Sequence, residues 1–331
     1  MPADAPARTP VDALTDGAAV DQPFLLAEKS LRTNRNGQLY LLAQLRDRTG
    51  QISALLWNVQ EGQFDDLPAG AGVRVKGRVQ THQGGLQIIA HRVKPAGEGF
   101  DPEDYRPAPN PAAEAAFGTL SETLRSLPDD DLRDLMAQFL ADEELTAAFR
   151  AAPAAAKVHH ARRGGLCEHV AAMAAAWTAL ADLYPDVDRS FVLAGCFLHD
   201  LGKVRELDAD TLTYTTAGQM LGHIQIGCDL LQEKVRTLNA ARRDAGAAPF
   251  PEAKRVHLTH LILSHHGAAE FGSPKPPMSP EAVALHAIDT LDAKVNEFLT
   301  VLREDPNPGG DLTPFHPRLQ RRLYKGGDAE T

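Results

Sequence analysis

The stretch Phe197–Lys203, with the sequence FLHDLGK, decides how the rest of this chain is interpreted. It closes a nearly all-apolar segment that begins at Ser190, and Gly202 follows its His-Asp pair as a helix-ending residue. Burying a carboxylate beside an imidazole in apolar surroundings is costly, so His199 and Asp200 need a compensating partner. A divalent cation would use both side chains. The alternative is a helix C-terminus at which His199 bonds the last carbonyl groups and Asp200 faces solvent.

Histidines and carboxylates recur on both sides of this pair, in segments whose apolar residues have helical spacing. Eight of the 13 histidines fall between His169 and His286. Taken singly, each is more often a packed histidine or a solvated aspartate than a metal ligand. Taken together, they suffice for two metals that share one carboxylate, an arrangement that activates water and holds a phosphodiester. The ordered series is His169, His199-Asp200, His223, His265-His266 and Asp289.

Length and composition restrict the class of protein. The 331 residues predict about two domains, and the net charge of -10 argues against a protein that coats nucleic acid through its overall charge. No stretch approaches the ~18 consecutive apolar residues of a membrane span, and no targeting signal is recognisable. We therefore expect no membrane partner. The odd number of cysteines argues against a disulfide framework, so we expect a cytoplasmic protein. The three cysteines are Cys167, Cys196 and Cys228.

Upstream of the helical region, residues 21–95 consist of short β-rich segments separated by turn signals. Asn36-Gly37 and Gly84-Gly85 are typical hairpin turns, and Gly77 inside a strand indicates a bulge. Five segments in this length predict a small all-β barrel of the OB type, with an SH3-like barrel as the competing architecture.

The predicted fold class is therefore multidomain, a small all-β OB-type barrel followed by an all-α helical bundle. Residues 1–20, rich in Ala, Pro, Asp and Thr, are expected to form a disordered leader. The barrel is assigned to residues 21–95, a proline-rich linker to 96–112 and the helical domain to 113–325.

The order His, His-Asp-Leu-Gly-Lys and Asp on an all-α scaffold resembles the HD-domain phosphohydrolase superfamily. Further motifs resemble the YhaM-type 3′→5′ exonucleases, in which an OB domain precedes the HD domain. The resemblance extends over about residues 21–325. Its motifs are His159-His160 with Gly164-Gly165-Leu166, Gly222-His223, Ser264-His265-His266-Gly267, Glu270-Phe271-Gly272-Ser273-Pro274 and LHAIDTLDAK at 285–294.

The resemblance implies a divalent-metal centre with one or two ions, and it suggests manganese. Mixed His and carboxylate ligands suit iron, cobalt or zinc as well. The catalytic residues expected are His199, Asp200 and Lys203, with Lys203 facing the substrate phosphate or the attacking water; a solvated lysine is the alternative. The implied ligands are His169, His199, Asp200 and Asp289 for one metal, and Asp200, His223 and one or both of His265 and His266 for a second.

Substrate contacts are expected from both domains. A basic pair beside a glycine turn suits phosphate oxygens, and the stiff loop after the His-His pair could hold a base or sugar, although plain surface loops would look similar. The barrel carries more basic than acidic residues, and its aromatic residues could stack on bases, with Trp57 equally consistent with a core position. The candidate residues are Tyr40, Trp57, His159, His160, Arg162, Arg163, Glu270 and Phe271.

These observations and the resemblance predict a metal-dependent hydrolase, a 3′→5′ exonuclease acting on single-stranded RNA or DNA, with the barrel guiding the strand. One alternative is a phosphohydrolase of cyclic dinucleotides or free nucleotides. The other is a non-catalytic single-strand-binding adaptor, although the intact His/Asp series argues against a decayed site. The sequence leaves the oligomeric state open, a homo-oligomer included.

Overall fold

A computed structural model of the chain describes residues 8–34, 37–59, 62, 65, 67–82, 85–97, 100–105, 110–155, 162–303, 305 and 309–326. The chain divides into two compact units. The first comprises Met1–Pro109 with Asp208–Thr213, and the second comprises Asn110–Leu207 with Tyr214–Thr331. Among the residues that the structure describes, no helix is both long and apolar enough to cross a membrane.

The first unit contains a closed five-stranded barrel with the strand order β1-β2-β3-β5-β4. Neighbouring strands are antiparallel except β3 and β5, which are parallel. This confirms the predicted five-stranded OB-type barrel. The strands are β1 (Ala19–Thr33), β2 (Leu39–Arg46), β3 (Gln51–Trp57), β4 (Gly72–His82) and β5 (Gly85–Pro95).

Alternation along the strands fills the barrel with β-branched residues. Val73, Val75 and Val79 of β4 are buried, while the side chains of Arg74, Lys76 and Arg78 face outward, as expected of a sheet with one buried face. The register between β4 and β5 shifts at Gly77, where a side chain would collide with the backbone of the neighbouring strand. The predicted bulge at Gly77 is therefore confirmed, and its cause is the close approach of β5.

Residues 8–20 differ from the predicted disordered leader. Val11–Ala13 forms a 3-10 helix, and Val11 and Leu14 are buried in the core of the barrel. The backbone N–H of Val11 donates to Asp47 Oδ2 at 2.9 Å. Two buried apolar side chains three residues apart, together with this hydrogen bond, hold the segment against the barrel.

The expected linker at 96–112 also begins with packed structure. Phe100 lies against Gly72, where any side chain would overlap its ring, and it stacks on Tyr105 with ring centroids 4.4 Å apart. Tyr105 ends a 3-10 helix over Pro102–Tyr105. The domain boundaries themselves remain predictions.

The second unit is helical. Its described helices are α1 (Pro111–Arg125), α2 (Asp130–Leu140), α3 (Glu143–Ala151), α4 (Gly165–Leu180), α5 (Arg189–Leu198), α6 (Lys203–Glu206), α7 (Thr216–Asp244), α8 (Glu252–Ser264) and α9 (Pro280–Arg303). At its centre lies α5, in which every residue from Ser190 to Leu198 is buried and which packs against α2, α4, α8 and α9. Side chains at the C-terminal end of α5 therefore lie inside the domain.

Candidate metal centre

The C-terminal end of α5 is where the predicted ligands meet. His199 and Asp200 follow α5 directly, and both are buried. Side chains from α4, α7, α9 and the end of α8 surround them. The structure thus brings together all seven predicted ligands, in two groups on either side of Asp200.

The first group joins α4, α5 and α9. His169 Nε2 lies 3.2 Å from Asp289 Oδ1, and His199 Nε2 lies 4.0 Å from the same oxygen. His199 Nε2 is also 3.4 Å from Asp200 Oδ2. Ligands about 2.0–2.2 Å from one metal are separated from each other by roughly 3–3.5 Å. The His169–Asp289 and His199–Asp200 distances fall in this range and the His199–Asp289 distance is longer, so the four side chains are close enough to converge on one ion.

The second group lies on the other side of the same carboxylate. His223 Nε2 and His265 Nε2 lie 3.5 and 3.7 Å from Asp200 Oδ1. His223 Nε2 lies 3.2 Å from His266 Nε2. Both residues of the His-His pair therefore point a nitrogen into this group.

Asp200 faces the two groups with different oxygen atoms, Oδ2 toward the first and Oδ1 toward the second. Burial favours its neutral form, but Lys203, His199 and His223 outweigh this effect and hold the pKa of Asp200 well below its usual range. Lys203 Nζ donates to Oδ2 at 2.6 Å. Asp200 is therefore an ionised carboxylate in position to bridge two cations.

Several atoms of the centre have unused capacity to bind a cation. The Nδ1 atoms of His199 and His265 donate to the carbonyl groups of Cys196 and Ile262, at 2.9 and 2.7 Å. In the neutral tautomer that this bond selects, the Nε2 atom of each ring carries a lone pair. These two nitrogens and Asp200 Oδ1 are buried without a hydrogen-bond partner in the described part of the chain. Buried polar atoms are rarely left unpaired, and a divalent cation would supply what these three lack.

Two carboxylates that sequence reasoning missed fix the imidazoles of His169 and His223. Glu206 Oε1 accepts from the backbone N–H of His223 at 2.9 Å and lies 3.1 Å from its Nδ1 atom. Asp292 Oδ2 lies 2.6 Å from His169 Nδ1. Such partners fix the tautomer and orientation of a ligating histidine. Asp292 could have been found, because it lies three residues after Asp289 on one helix face, whereas Glu206 has no such signal.

The two groups differ in how readily their histidines hold a proton. Burial disfavours the charged form of His169, but hydrogen bonds with Asp289 and Asp292 outweigh it and raise the pKa to about 9. Burial, with His199 beside it, lowers the pKa of His265 well below its usual value. A proton is thus retained in the first group and excluded from His265.

A cleft of about 540 Å³ opens beside the second group. His223 and His266 line it together with the apolar side chains of Leu221, Phe271 and Pro274. The Phe271 ring is 68% exposed, so its faces are accessible. Glu270 precedes it in a 3-10 turn and is exposed, but it does not line the cleft.

The remaining predicted substrate contacts have different surroundings. Arg162 forms an ion pair with Glu168 in the first turn of α4, so its charge is already partnered. The carbonyl group of Arg163 accepts from Asn110 Nδ2 at 3.4 Å. His159 and His160 lie outside the residues that the structure describes.

Tyr40 and Trp57 are paired on neighbouring barrel strands, with ring centroids 5.0 Å apart. Trp57 is 45% exposed, so the alternative of a core position for this residue is wrong. The pair forms an aromatic surface on the outside of the barrel.

Comparison with known protein families matches residues 28–96 to the OB-fold nucleic acid binding domain and residues 166–294 to the HD domain. The first match favours the OB architecture over the SH3-like alternative. Over 313 residues the chain is 37% identical to the 3′-5′ exoribonuclease YhaM of Bacillus velezensis and 36% identical to that of Bacillus subtilis. Each alignment covers 93% of this chain and 95% of the relative.

The YhaM of Bacillus licheniformis is 35% identical over 315 residues, with the same coverage. The resemblance inferred from the motifs is confirmed, and the matched HD domain makes the second unit a metal-dependent hydrolase domain. The chain belongs to the family of YhaM 3′-5′ exoribonucleases, with an OB-fold domain ahead of its HD domain.

Proposed function

We infer that this protein is a metal-dependent 3′→5′ exonuclease that hydrolyses single-stranded RNA, and that the barrel guides the strand to the HD domain. The observation that carries the proposal is the position of Asp200, whose two oxygens face two separate groups of imidazole nitrogens. The names of the relatives support RNA as the substrate. The OB-fold match supports a single-stranded polymer over a free nucleotide.

The residues of the centre provide what phosphodiester hydrolysis requires. A divalent ion held by these side chains would supply Lewis acidity and would activate the attacking water. Asp200 lies between the two groups of ligands, and His199 directs its Nε2 atom toward the first group. Mixed imidazole and carboxylate ligands are compatible with manganese, which we propose, and with iron, cobalt or zinc.

Lys203 is the third residue to which we assign a catalytic role. Burial favours its neutral form, but Asp200 and further acids outweigh this effect and raise the pKa of Lys203 above its usual value. The ammonium group therefore keeps its proton at neutral pH and cannot serve as a general base. It is suited to stabilising negative charge on the phosphoryl oxygens as the leaving nucleotide departs.

We assign substrate contacts to two regions. In the HD domain, Phe271 offers an exposed ring beside the second group, which supports contact with a base or sugar. In the barrel, the exposed aromatic surface supports stacking on bases. The full set proposed for substrate binding is Tyr40, Trp57, His159, His160, Arg162, Arg163, Glu270 and Phe271. A cytoplasmic location is also proposed, supported by the three unpaired cysteines.

The test is a time course on 5′-labelled single-stranded RNA with Mn²⁺. We expect a ladder that shortens from the 3′ end, abolished by a chelator and slowed at least about a thousandfold in Asp200→Ala. Asp182→Ala is the matched control, because this aspartate is exposed and lies 3.7 Å from its arginine partner, and it should retain the wild-type rate. DNA of the same sequence measures the preference between the two polymers.

Intact RNA with every divalent metal tried would overturn the exonuclease. Cyclic dinucleotides and free nucleotides would then be the next substrates to test. Equal rates for Asp200→Ala and Asp182→Ala would leave the exonuclease standing but overturn the assignment of Asp200.

A further inference from the structure

The outer face of β4 and β5 carries two cross-strand pairs of like charge. Arg74 lies opposite Lys94, and Lys76 lies opposite Arg92. Arg74 and Lys76 alternate with the buried valines of β4, and Arg92 and Lys94 are their partners on the same face of β5. All four side chains therefore point away from the core. Together with Asp21 of β1 they line a concavity of about 140 Å³. These four cations are called the basic track below.

The basic track is unfavourable for the fold. Like charges directly opposite each other on antiparallel strands destabilise a sheet, and here two such pairs are adjacent. Asp21 compensates in part, since Arg74 Nε donates to its carboxylate at 2.7 Å and Lys76 Nζ lies 3.9 Å away. The bond from Arg74, together with Lys76 and Lys94, lowers the pKa of Asp21. Four cations and one anion still leave a net charge of +3 on a protein whose formal charge is -10.

The register of the barrel connects the basic track with the aromatic surface. β3 and β5 run parallel, and their pairing ends at Leu56 opposite Ala90. Trp57 is the next residue along β3, and Arg92 lies two residues beyond Ala90 in the same direction. The exposed Trp57 ring, with Tyr40 beside it, therefore lies at the end of the sheet where the basic track begins.

We propose that the basic track binds the phosphodiester backbone of a single strand whose bases stack on Tyr40 and Trp57. A positively charged groove next to aromatic rings is the arrangement by which proteins hold single strands without reading their sequence. The aromatic neighbours favour a nucleic acid over an acidic peptide, because carboxylates would use the charge but not the rings. This inference rests on the proposed function and adds the path of the backbone across β5 and β4.

The experiment measures equilibrium binding of a fluorescein-labelled 20-residue oligo(U) to the full-length protein, with EDTA present to prevent hydrolysis. The test variant is Lys76→Gln/Arg92→Gln/Lys94→Gln, which leaves Arg74 on Asp21. The matched control is Arg125→Gln/Arg236→Gln/Arg243→Gln, which removes the same charge from exposed positions of the helical unit. Affinity is recorded from low to high salt for all three proteins.

Each phosphate neutralised on a single strand contributes about -0.7 to the slope of log affinity against log salt. We therefore expect the test variant to lose about 2 units of slope and to bind at least about tenfold more weakly at low salt. The control should keep the wild-type slope. Because the substitutions remove like-charge repulsion, we also expect the test variant to unfold at the same or a higher temperature than wild type.

Equal loss of slope in the test variant and the control would overturn the proposal. So would competition by polyglutamate as strong as that by unlabelled oligo(U) at equal charge, which would identify an acidic-protein site. If the triple variant does not fold, Lys94→Gln alone should lose about 0.7 units of slope. Incubating wild type with the same RNA and Mn²⁺ tests the proposed function separately, since RNA shortening together with an unchanged slope in the variants overturns only the basic track.

Discussion

Four histidines of the metal centre have a partner for their Nδ1 atom, and the partners are of two kinds, backbone carbonyl groups and carboxylates. His199 and His265 each bond the carbonyl group three residues earlier, which helical geometry supplies without another side chain. His169 and His223 instead use carboxylates from elsewhere in the helical unit. Only the second kind depends on side chains that substitution can remove. We therefore expect Glu206 and Asp292 to act as positioning residues, each for a different group of ligands.

We expect Glu206→Gln to weaken metal binding at the second group by about 10- to 100-fold, because the amide no longer fixes the His223 tautomer. Asp292→Asn should have the matching effect at the first group. Equilibrium titration with Mn²⁺ should show a different binding phase weakened in each variant, and excess Mn²⁺ should restore the hydrolysis rate. Glu233→Gln, at an exposed position, is the control. A reduced rate with both binding phases intact would contradict a positioning role.

The protonation of His169 predicts a pH dependence of metal uptake. Because its pKa is raised to about 9, metal-free His169 is charged at neutral pH, and a cation at Nε2 must displace that proton. Affinity at the first group should therefore rise about tenfold per pH unit from neutrality and level off near pH 9. Calorimetry at pH 7.5 in buffers of different protonation enthalpy should detect release of about one proton. Absence of release, or no change of it in Asp292→Asn, would contradict the prediction.

At the scale of elements, the turn between α5 and α6 packs directly on α7. A Cβ atom on Gly202 would overlap the carbonyl oxygen of His223 and lie 2.7 Å from its carbonyl carbon and 2.8 Å from Gly227 N. Gly202 has a helical φ of -59° and stands immediately before α6, whereas α5 is capped by His199, so the expectation that Gly202 ends the helix is wrong. Its role is to let the backbone carrying Asp200 approach the backbone carrying His223.

Gly202→Ala should therefore separate these two elements. We expect a loss of about 1–3 kcal/mol in the free energy of unfolding, the usual cost of overpacking, and weaker binding at the second metal group. Gly118→Ala is the control, because this glycine lies within α1 with open space around it and should gain about 0.5–1 kcal/mol. Denaturant unfolding in EDTA measures both changes. A Gly202→Ala protein as stable as wild type would refute the contact.

Periodicity predicted the strands and the long helices, but not the segments that pack through isolated residues. Val11 lies in a stretch rich in proline and aspartate, and its partners at Asp47 and Gly50 are more than 30 residues away. Phe100 similarly packs against Gly72. From composition alone these segments were predicted to be a leader and a linker. The contacts that order them join residues far apart in the sequence, which composition does not report.

For the whole molecule, residue type and order predicted which seven histidine and aspartate side chains come together, whereas their role as metal ligands stays a prediction. The number of ligands already allowed two metals sharing one carboxylate, but the assignment of each ligand to its group was implied only by the resemblance, since it depends on which oxygen of Asp200 faces which helix. Glu206 could not be found, because it is 17 residues from His223 and follows no helical or strand spacing. Functional residues that act through another side chain leave the weakest trace in a sequence.

Because the metal centre and the aromatic surface belong to different units, we expect substitutions in them to change different kinetic parameters. The metal centre lies in the helical unit, whereas Tyr40 and Trp57 belong to the barrel. A stacked base contributes about 1–3 kcal/mol, so Trp57→Ala should raise KM for a 20-residue RNA by about 5- to 150-fold, more than it changes kcat. Trp57→Phe should recover most of the loss, and Leu86→Ala, an exposed apolar position on β5, is the control. A fall in kcat with KM unchanged would mean that this ring does not hold the strand, and the barrel would need another role.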